Sequence, residues 1–268
     1  MLGAPIAHSL SPVLHGAAYA ALGLNGWKYE AIECDAAGLP GLLESLDGDW
    51  AGLSLTMPLK RAVLPLLDQA EPLVTQVGGA NTVILGAAGR QGFNTDVPGM
   101  ITTLAQVGVT QPSDALVLGA GATACATLAA LHGIGARQAT VAVRDRATAG
   151  PLLEVAARLG LAARLVPFGA DPGEPGRQVL ISTVPSGAAD IYAERIASGI
   201  LAPQAIVDVV YHPWPTRLAA AARQAGVAVA GGFELLLHQA TGQVKLMTGQ
   251  DAPAEAMRAA GLAALAVR

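Results

Sequence analysis

With 268 residues, 52% of them hydrophobic and 13% charged, the chain can bury the core of one large or two modest domains. A net charge of −4 and the absence of any Lys/Arg run exclude the basic face that a nucleic-acid partner requires. Aromatic residues make up only 4%, so Ala, Gly, Leu and Val must carry the core, a mix that suits helices packed closely on a buried parallel sheet.

The opening residues, MLGAPIAHSL, have no basic stretch and no long apolar one, so no signal peptide is read there. In the first third, Trp27–Cys34, Trp50–Leu55 and Asn81–Leu85 read as strands, and Pro12–Leu22, Gly41–Leu46 and Leu59–Leu67 as helices. Ala115 to Ala136 carries no charge over a length that could span a bilayer, but its glycines favour a strand, a turn and a helix. From Ala115 onward ALVLG, QATVAV, ARLVPF, VLIST, AIVDVV and VAVAG alternate with helical stretches, the rhythm of a doubly wound parallel sheet. Phe233 to Val267 reads as helix, broken near Gly249–Pro253. The two halves are expected to join near Asp96–Gly99.

The two cysteines, Cys34 and Cys125, lie far apart without CxxC or Cys/His spacing, which fits buried small hydrophobes in a reducing compartment. The five histidines, His8, His15, His132, His212 and His238, show no zinc-ligand spacing, so no metal is expected.

Six places carry chemistry. Gly119-Ala120-Gly121-Ala122-Thr123-Ala124 follows a strand and opens a helix, the GxGxxA arrangement that brings a dinucleotide pyrophosphate to free helix N–H groups. The next strand ends at Arg144-Asp145-Arg146, where the ribose 2′ position should be read. Two arginines favour the 2′-phosphate of NADP, while Asp145 keeps NAD open. Ser11 before Pro12 reads as a helix cap, and the same helix end, with Ser9, attracts a carboxylate. Lys60 ends the run Gly52–Lys60, a strand leading to a turn and a helix, and is one of only three lysines beside thirteen arginines. An amine kept there suits proton transfer, which guanidinium cannot perform, although a surface lysine is the plain alternative. Asn81 and Asp96 could close a turn and cap a helix; with Thr56 and Lys60 they also supply an amide, a carboxylate, a hydroxyl and an amine for a polyhydroxylated ring.

In order along the chain, GAPIAHSLSPVLH, GLSLTMPLK, GGANT, GFNTDVPG, VLGAGATACA, VDVVYHPWPT and GFELLLHQA resemble the signature segments of shikimate dehydrogenases. The resemblance implies an α/β substrate-binding domain at 1–97, a Rossmann domain at 98–231 and C-terminal helices at 232–268 that return to the first domain. It implies a catalytic pair, Lys60 and Asp96, and carboxylate-binding serines, Ser9 and Ser11. Thr56, Asn81 and Gln239 would meet ring hydroxyls, with Tyr211 beside the carboxylate. Gly119, Ala120, Gly121, Ala122, Thr123, Arg144, Asp145, Thr183, Val209 and Gly232 would hold the cofactor, the last two near the nicotinamide. The implied activity is NADP-dependent interconversion of 3-dehydroshikimate and shikimate, on the way to chorismate and aromatic amino acids. The expected enzyme is cytoplasmic, acts on small molecules away from membranes, and is a monomer or a homodimer.

The departures are Val143-Arg144-Asp145 where the family often has Asn-Arg-Thr, Leu235 where a methionine is common, and a first strand with only Met1 and Leu2 before Gly3. The natural start could lie upstream, or the sheet edge could be weak. Asp145 supports an NAD-dependent quinate/shikimate dehydrogenase as the alternative. A regulatory relative without chemistry would break the Lys60 and Asp96 pair, which is intact.

Overall fold

The computed structural model describes residues 1–170 and 178–268. It divides into two compact units, Met1–Thr95 with Gln239–Arg268, and Asp96–His238.

The first unit runs β1 (Leu2–Gly3), α1 (Ser11–Ala21), β2 (Ile32–Glu33), α2 (Leu39–Ser45), β3 (Gly52–Ser54), α3 (Leu59–Ala62), β4 (Gln69–Ala70), α4 (Pro72–Val77), β5 (Thr82–Gly86) and β6 (Gly89–Phe93). Strands β3, β5, β6 and β4 pair in that order, antiparallel at the first two joints and parallel at the last. β1 and β2 pair in parallel, and a bridge from Leu2 to Leu55 ties them to β3. Leu2, Leu39, Leu53, Leu55, Leu59, Val63, Val74 and Val83 form the buried core beneath.

Here the structure departs from the sequence expectations. Of Trp27–Cys34 only Ile32–Glu33 is strand, because Tyr29 stacks on His15 at 4.0 Å and Trp27 packs on Tyr19 at 5.3 Å. The helix expected over Leu59–Leu67 ends at Ala62 and tightens into a 3₁₀ turn at Leu64–Leu66, since Pro65 has no N–H to continue the ladder. β4, α4 and β6 had no clear sequence signal. β6, GRQGF, has one apolar side chain and two glycines, and Gly89 enters it at φ +82°.

The second unit runs α5 (Asp96–Gln106), β7 (Ala115–Leu118), α6 (Ala122–Gly133), β8 (Gln138–Val143), α7 (Gly150–Leu159), β9 (Ala162–Pro167), β10 (Val179–Ser182), α8 (Asp190–Ala197), β11 (Ala205–Asp208), α9 (Arg217–Gln224) and β12 (Ala228–Gly231). The sheet order is β12-β11-β10-β7-β8-β9, all parallel, the doubly wound Rossmann arrangement. Every residue of β7, β10 and β11 is buried, as expected of strands covered on both faces. The order reverses between β7 and β10, and the crevice past their carboxyl ends is where this fold binds ligands. The uncharged stretch from Ala115 is a strand, a turn and a helix, and no helix among the described residues is long and apolar enough to cross a membrane.

α10 (Gly232–Thr248) starts in the second unit and enters the first at Gln239, and α11 (Ala254–Ala266) packs on α1. Cys34 and Cys125 are both buried, and neither forms a disulfide.

Candidate active site

In the first unit the strand registers bring the chemistry to one end of the sheet. Ser54 pairs with Thr82, and Thr82 with Phe93, so the segments entering or leaving these strands lie side by side. Leu55 N–H donates to Asn81 O at 2.7 Å, and Asn81 N–H to Phe93 O at 3.1 Å. Thr56 N–H reaches back to Leu2 O at 2.9 Å, at the point where β1 gives way to the segment carrying Ser9 and Ser11. Lys60, half-buried in α3, is held through its carbonyl, which accepts Ala80 N–H at 2.8 Å. Asn94 fixes the same segment by donating to Gly79 O at 2.8 Å.

Ser11 does not cap α1. It is the first helical residue, and Ser9 Oγ accepts its N–H at 3.2 Å. Pro12 in the first turn has no N–H to satisfy, so the hydroxyl two residues back serves the helix start. Ser11 Oγ is enclosed, with the equally enclosed Tyr29 phenol as its polar neighbour, whereas Ser9 is half-exposed. The guanidinium of Arg268 adds positive charge beside this segment by donating to His8 O at 2.7 Å.

Asn81 and Gln239 come together: Asn81 Nδ2 stands 3.4 Å from Gln239 Oε1 and donates to Thr95 Oγ1 at 2.9 Å. Asn81 Oδ1 accepts from Thr95 N–H at 2.8 Å and from the Thr82 hydroxyl at 2.9 Å. Asp96 is the residue after Thr95; it is buried at the start of α5.

Beneath Asn81 lies a polar cluster that the sequence does not mark. Gln243, one turn beyond Gln239 on the same face of α10, is 1% exposed. Its Oε1 accepts from Ser54 Oγ at 2.9 Å and from His15 Nε2 at 3.3 Å. Its Nε2 donates to Asn81 O at 3.1 Å and to Thr82 Oγ1 at 3.0 Å. Burial holds His15 neutral, its pKa lowered to about 3, and these partners place its proton on Nε2. Only the four-residue spacing of the two glutamines hints at this arrangement in the sequence.

The second unit collects the cofactor candidates past the carboxyl ends of β7 and β10. Gly119 turns at φ +101°, a conformation side chains rarely adopt, and an added Cβ would meet Thr183 Oγ1 at 2.9 Å. Thr183 itself donates to Leu118 O at 2.7 Å, closing the switch point. Gly121 precedes α6 with nothing within 4 Å of where its Cβ would be, leaving room for a phosphate at the helix N-terminus formed by Ala122 and Thr123. Arg144 is exposed past the end of β8. Asp145 Oδ1 accepts Ala147 N–H at 2.8 Å, capping the short 3₁₀ helix that follows.

Val209 and Tyr211 stand on the segment after β11, held by Asp208. The Asp208 carboxylate accepts from the Thr216 hydroxyl at 2.6 Å and from Val210 N–H at 3.3 Å. Burial pushes this carboxyl above the usual range, and those hydrogen bonds counter it. Gly232 N–H donates to Val210 O at 3.1 Å, and any side chain at Gly232 would collide with the Val209 carbonyl.

Residues 1–83 match the family model of the shikimate dehydrogenase substrate binding domain, and residues 232–260 that of the shikimate 5′-dehydrogenase C-terminal domain. A shikimate dehydrogenase (NADP(+)) of Thermus thermophilus is 36% identical over 270 residues, covering 100% of this chain and 98% of the relative. The crystal structure of Mycobacterium tuberculosis shikimate dehydrogenase superposes with a TM-score of 0.86 at 42% identity, covering 98% and 97% of the two chains. That of a Thermus thermophilus shikimate 5-dehydrogenase in complex with NADP(H) and shikimate gives 0.81 at 34% identity, with coverage of 98% and 97%. The chain belongs to the shikimate dehydrogenase family.

Proposed function

We propose that this protein is a shikimate dehydrogenase, reducing 3-dehydroshikimate reversibly with NADPH in the biosynthetic route to chorismate and the aromatic amino acids. The observation that supports the reading is the gathering of Thr56, Asn81 and Gln239 at one sheet end beside the Lys60 segment, in a chain related along its whole length to NADP-dependent members of this family. The second unit supports NADP binding: the glycine turn leaves room before a helix N-terminus, and Arg144, exposed past the end of β8, is available to a 2′-phosphate. Bound there, the cofactor supplies or accepts a hydride.

The chain's own residues do the rest. Lys60 moves the proton at the substrate's C3 oxygen, taking it in the oxidative direction and returning it in the reductive one. Asp96, with Asn81, Thr56 and Gln239, orients the ring, and fixed orientation lowers the barrier by removing motions the free reactants would have to lose. Ser9, with Ser11 behind it and Tyr211, receives the carboxylate. Val209 and Gly232 border the nicotinamide. The NAD alternative rests on Asp145, one oxygen of which accepts Ala147 N–H at the start of the short helix that follows. The accompanying reading is a cytoplasmic enzyme of small molecules, monomeric or homodimeric. Lys60→Ala should lower kcat by about 10²- to 10⁴-fold, the range for a lost general acid–base. NADP affinity, measured by NADPH fluorescence titration, should stay within twofold. Lost NADP binding with turnover retained would overturn the assignment.

A further inference from the structure

The buried hydrogen-bond chain from α1 to Asn81 has a direction. The Tyr19 hydroxyl faces His15 Nδ1 at 3.4 Å, and His15 Nε2–H donates to Gln243 Oε1. Gln243 Nε2–H donates to Thr82 Oγ1, and the Thr82 hydroxyl donates its own proton to Asn81 Oδ1. One group prevents reversal at Gln243. The Asn81 main-chain carbonyl can only accept, so the face of the Gln243 amide 3.1 Å away must be the N–H side. Every link is buried, so water cannot stand in for a lost partner.

We propose that Gln243 and Thr82 are positioning residues that fix the Asn81 amide, so that its N–H and not its oxygen is presented to the substrate's ring hydroxyl. This rests on the reading of Asn81 as a substrate ligand. Asn81 Oδ1 is filled by Thr82 and by Thr95 N–H, leaving Nδ2 to face Thr95 Oγ1 and Gln239 Oε1. The contact to Gln239 is the long one, at 3.4 Å, and it is the hydrogen a substrate oxygen would take over. Asn81 thus acts as a donor to that oxygen, and the hydroxyl's own proton is left for an acceptor elsewhere in the site. Without the Thr82 hydroxyl, Asn81 Oδ1 loses a donor, and the amide gains freedom to turn its oxygen toward the ligand.

The test compares wild type, Thr82→Val and Thr82→Ser in steady-state oxidation of shikimate by NADP⁺. Thr82→Val keeps the shape and removes the donor; it should raise KM for shikimate about three- to tenfold, the loss of one hydrogen bond, and leave KM for NADP⁺ within twofold. Thr82→Ser restores the donor and should return KM for shikimate to within twofold of wild type. A general structural defect would instead move both KM values together, and that result, or an unchanged KM for shikimate, overturns the proposal. If Thr82→Val does not fold, Thr82→Ala decides: it removes the same donor without adding a methyl, and it should raise KM for shikimate while leaving KM for NADP⁺ within twofold; an unchanged KM for shikimate overturns the proposal. A wild-type protein inactive on shikimate would refute the functional reading itself, a failure distinct from either variant result.

Discussion

Acidification should cost this protein about 2 kcal/mol of stability through His15 alone between pH 6.5 and pH 5. His15 is completely buried, between Tyr19, Tyr29 and Gln243. In the folded chain it resists protonation down to about pH 3, whereas unfolded it takes its proton near the ordinary value of 6.5. The folded pKa is the lower one, so below pH 6.5 the unfolded state binds the extra proton. The contribution is therefore whole above 6.5 and drains as pH falls toward 3, at about 1.4 kcal/mol per pH unit. Urea denaturation at pH 7.5 and pH 5 would measure it, on wild type and on His15→Phe. The variant starts less stable, since Gln243 and Tyr19 lose a partner, but cannot titrate at this position. Carboxylates common to both proteins cancel, and wild type should lose about 2 kcal/mol more than the variant. Equal losses would mean that His15 takes its proton alike in the folded and the unfolded chain, and that burial does not hold it neutral.

Arg144→Ala should raise KM for NADP⁺ about tenfold or more, as expected for a charged hydrogen bond to phosphate, with KM for NAD⁺ nearly unchanged. Equal changes for the two cofactors would remove Arg144 from 2′-phosphate recognition. Gly232→Ala should lose about 1–3 kcal/mol, because its Cβ would overlap the Val209 carbonyl and force the Val209–Tyr211 segment aside. It should also lower kcat, and a stable, fully active variant would show that the segment has slack.

The second unit was legible because its strands obey a simple rule. ALVL, VLIS and AIVD are buried on both faces and so read as unbroken apolar runs. The first unit obeys no such rule. β6 is held by its pairing with β5 and not by its own composition, and Trp27 and Tyr29, good strand formers, are claimed by α1. Lys60, Asn81 and Asp96 stood out as polar residues where apolar strands stop. Tyr211, Val209 and Gln239 came only from the family resemblance. Ser54, Thr82, His15 and Gln243 are single polar residues inside apolar stretches, and only the fold, which joins positions 189 and 228 residues apart, makes them a network. Ser-Pro starts many helices, so Ser11 reads as a cap from the sequence; in the fold the Ser9 hydroxyl meets that need.

The most direct measurement offers the purified protein shikimate or quinate, each with NADP⁺ or NAD⁺, and follows the reduced nicotinamide by its near-ultraviolet absorbance. The account predicts the highest kcat/KM with shikimate and NADP⁺ and a marked fall when either is exchanged. Comparable or better turnover with quinate and NAD⁺ would contradict it and return the role of cofactor selector to Asp145.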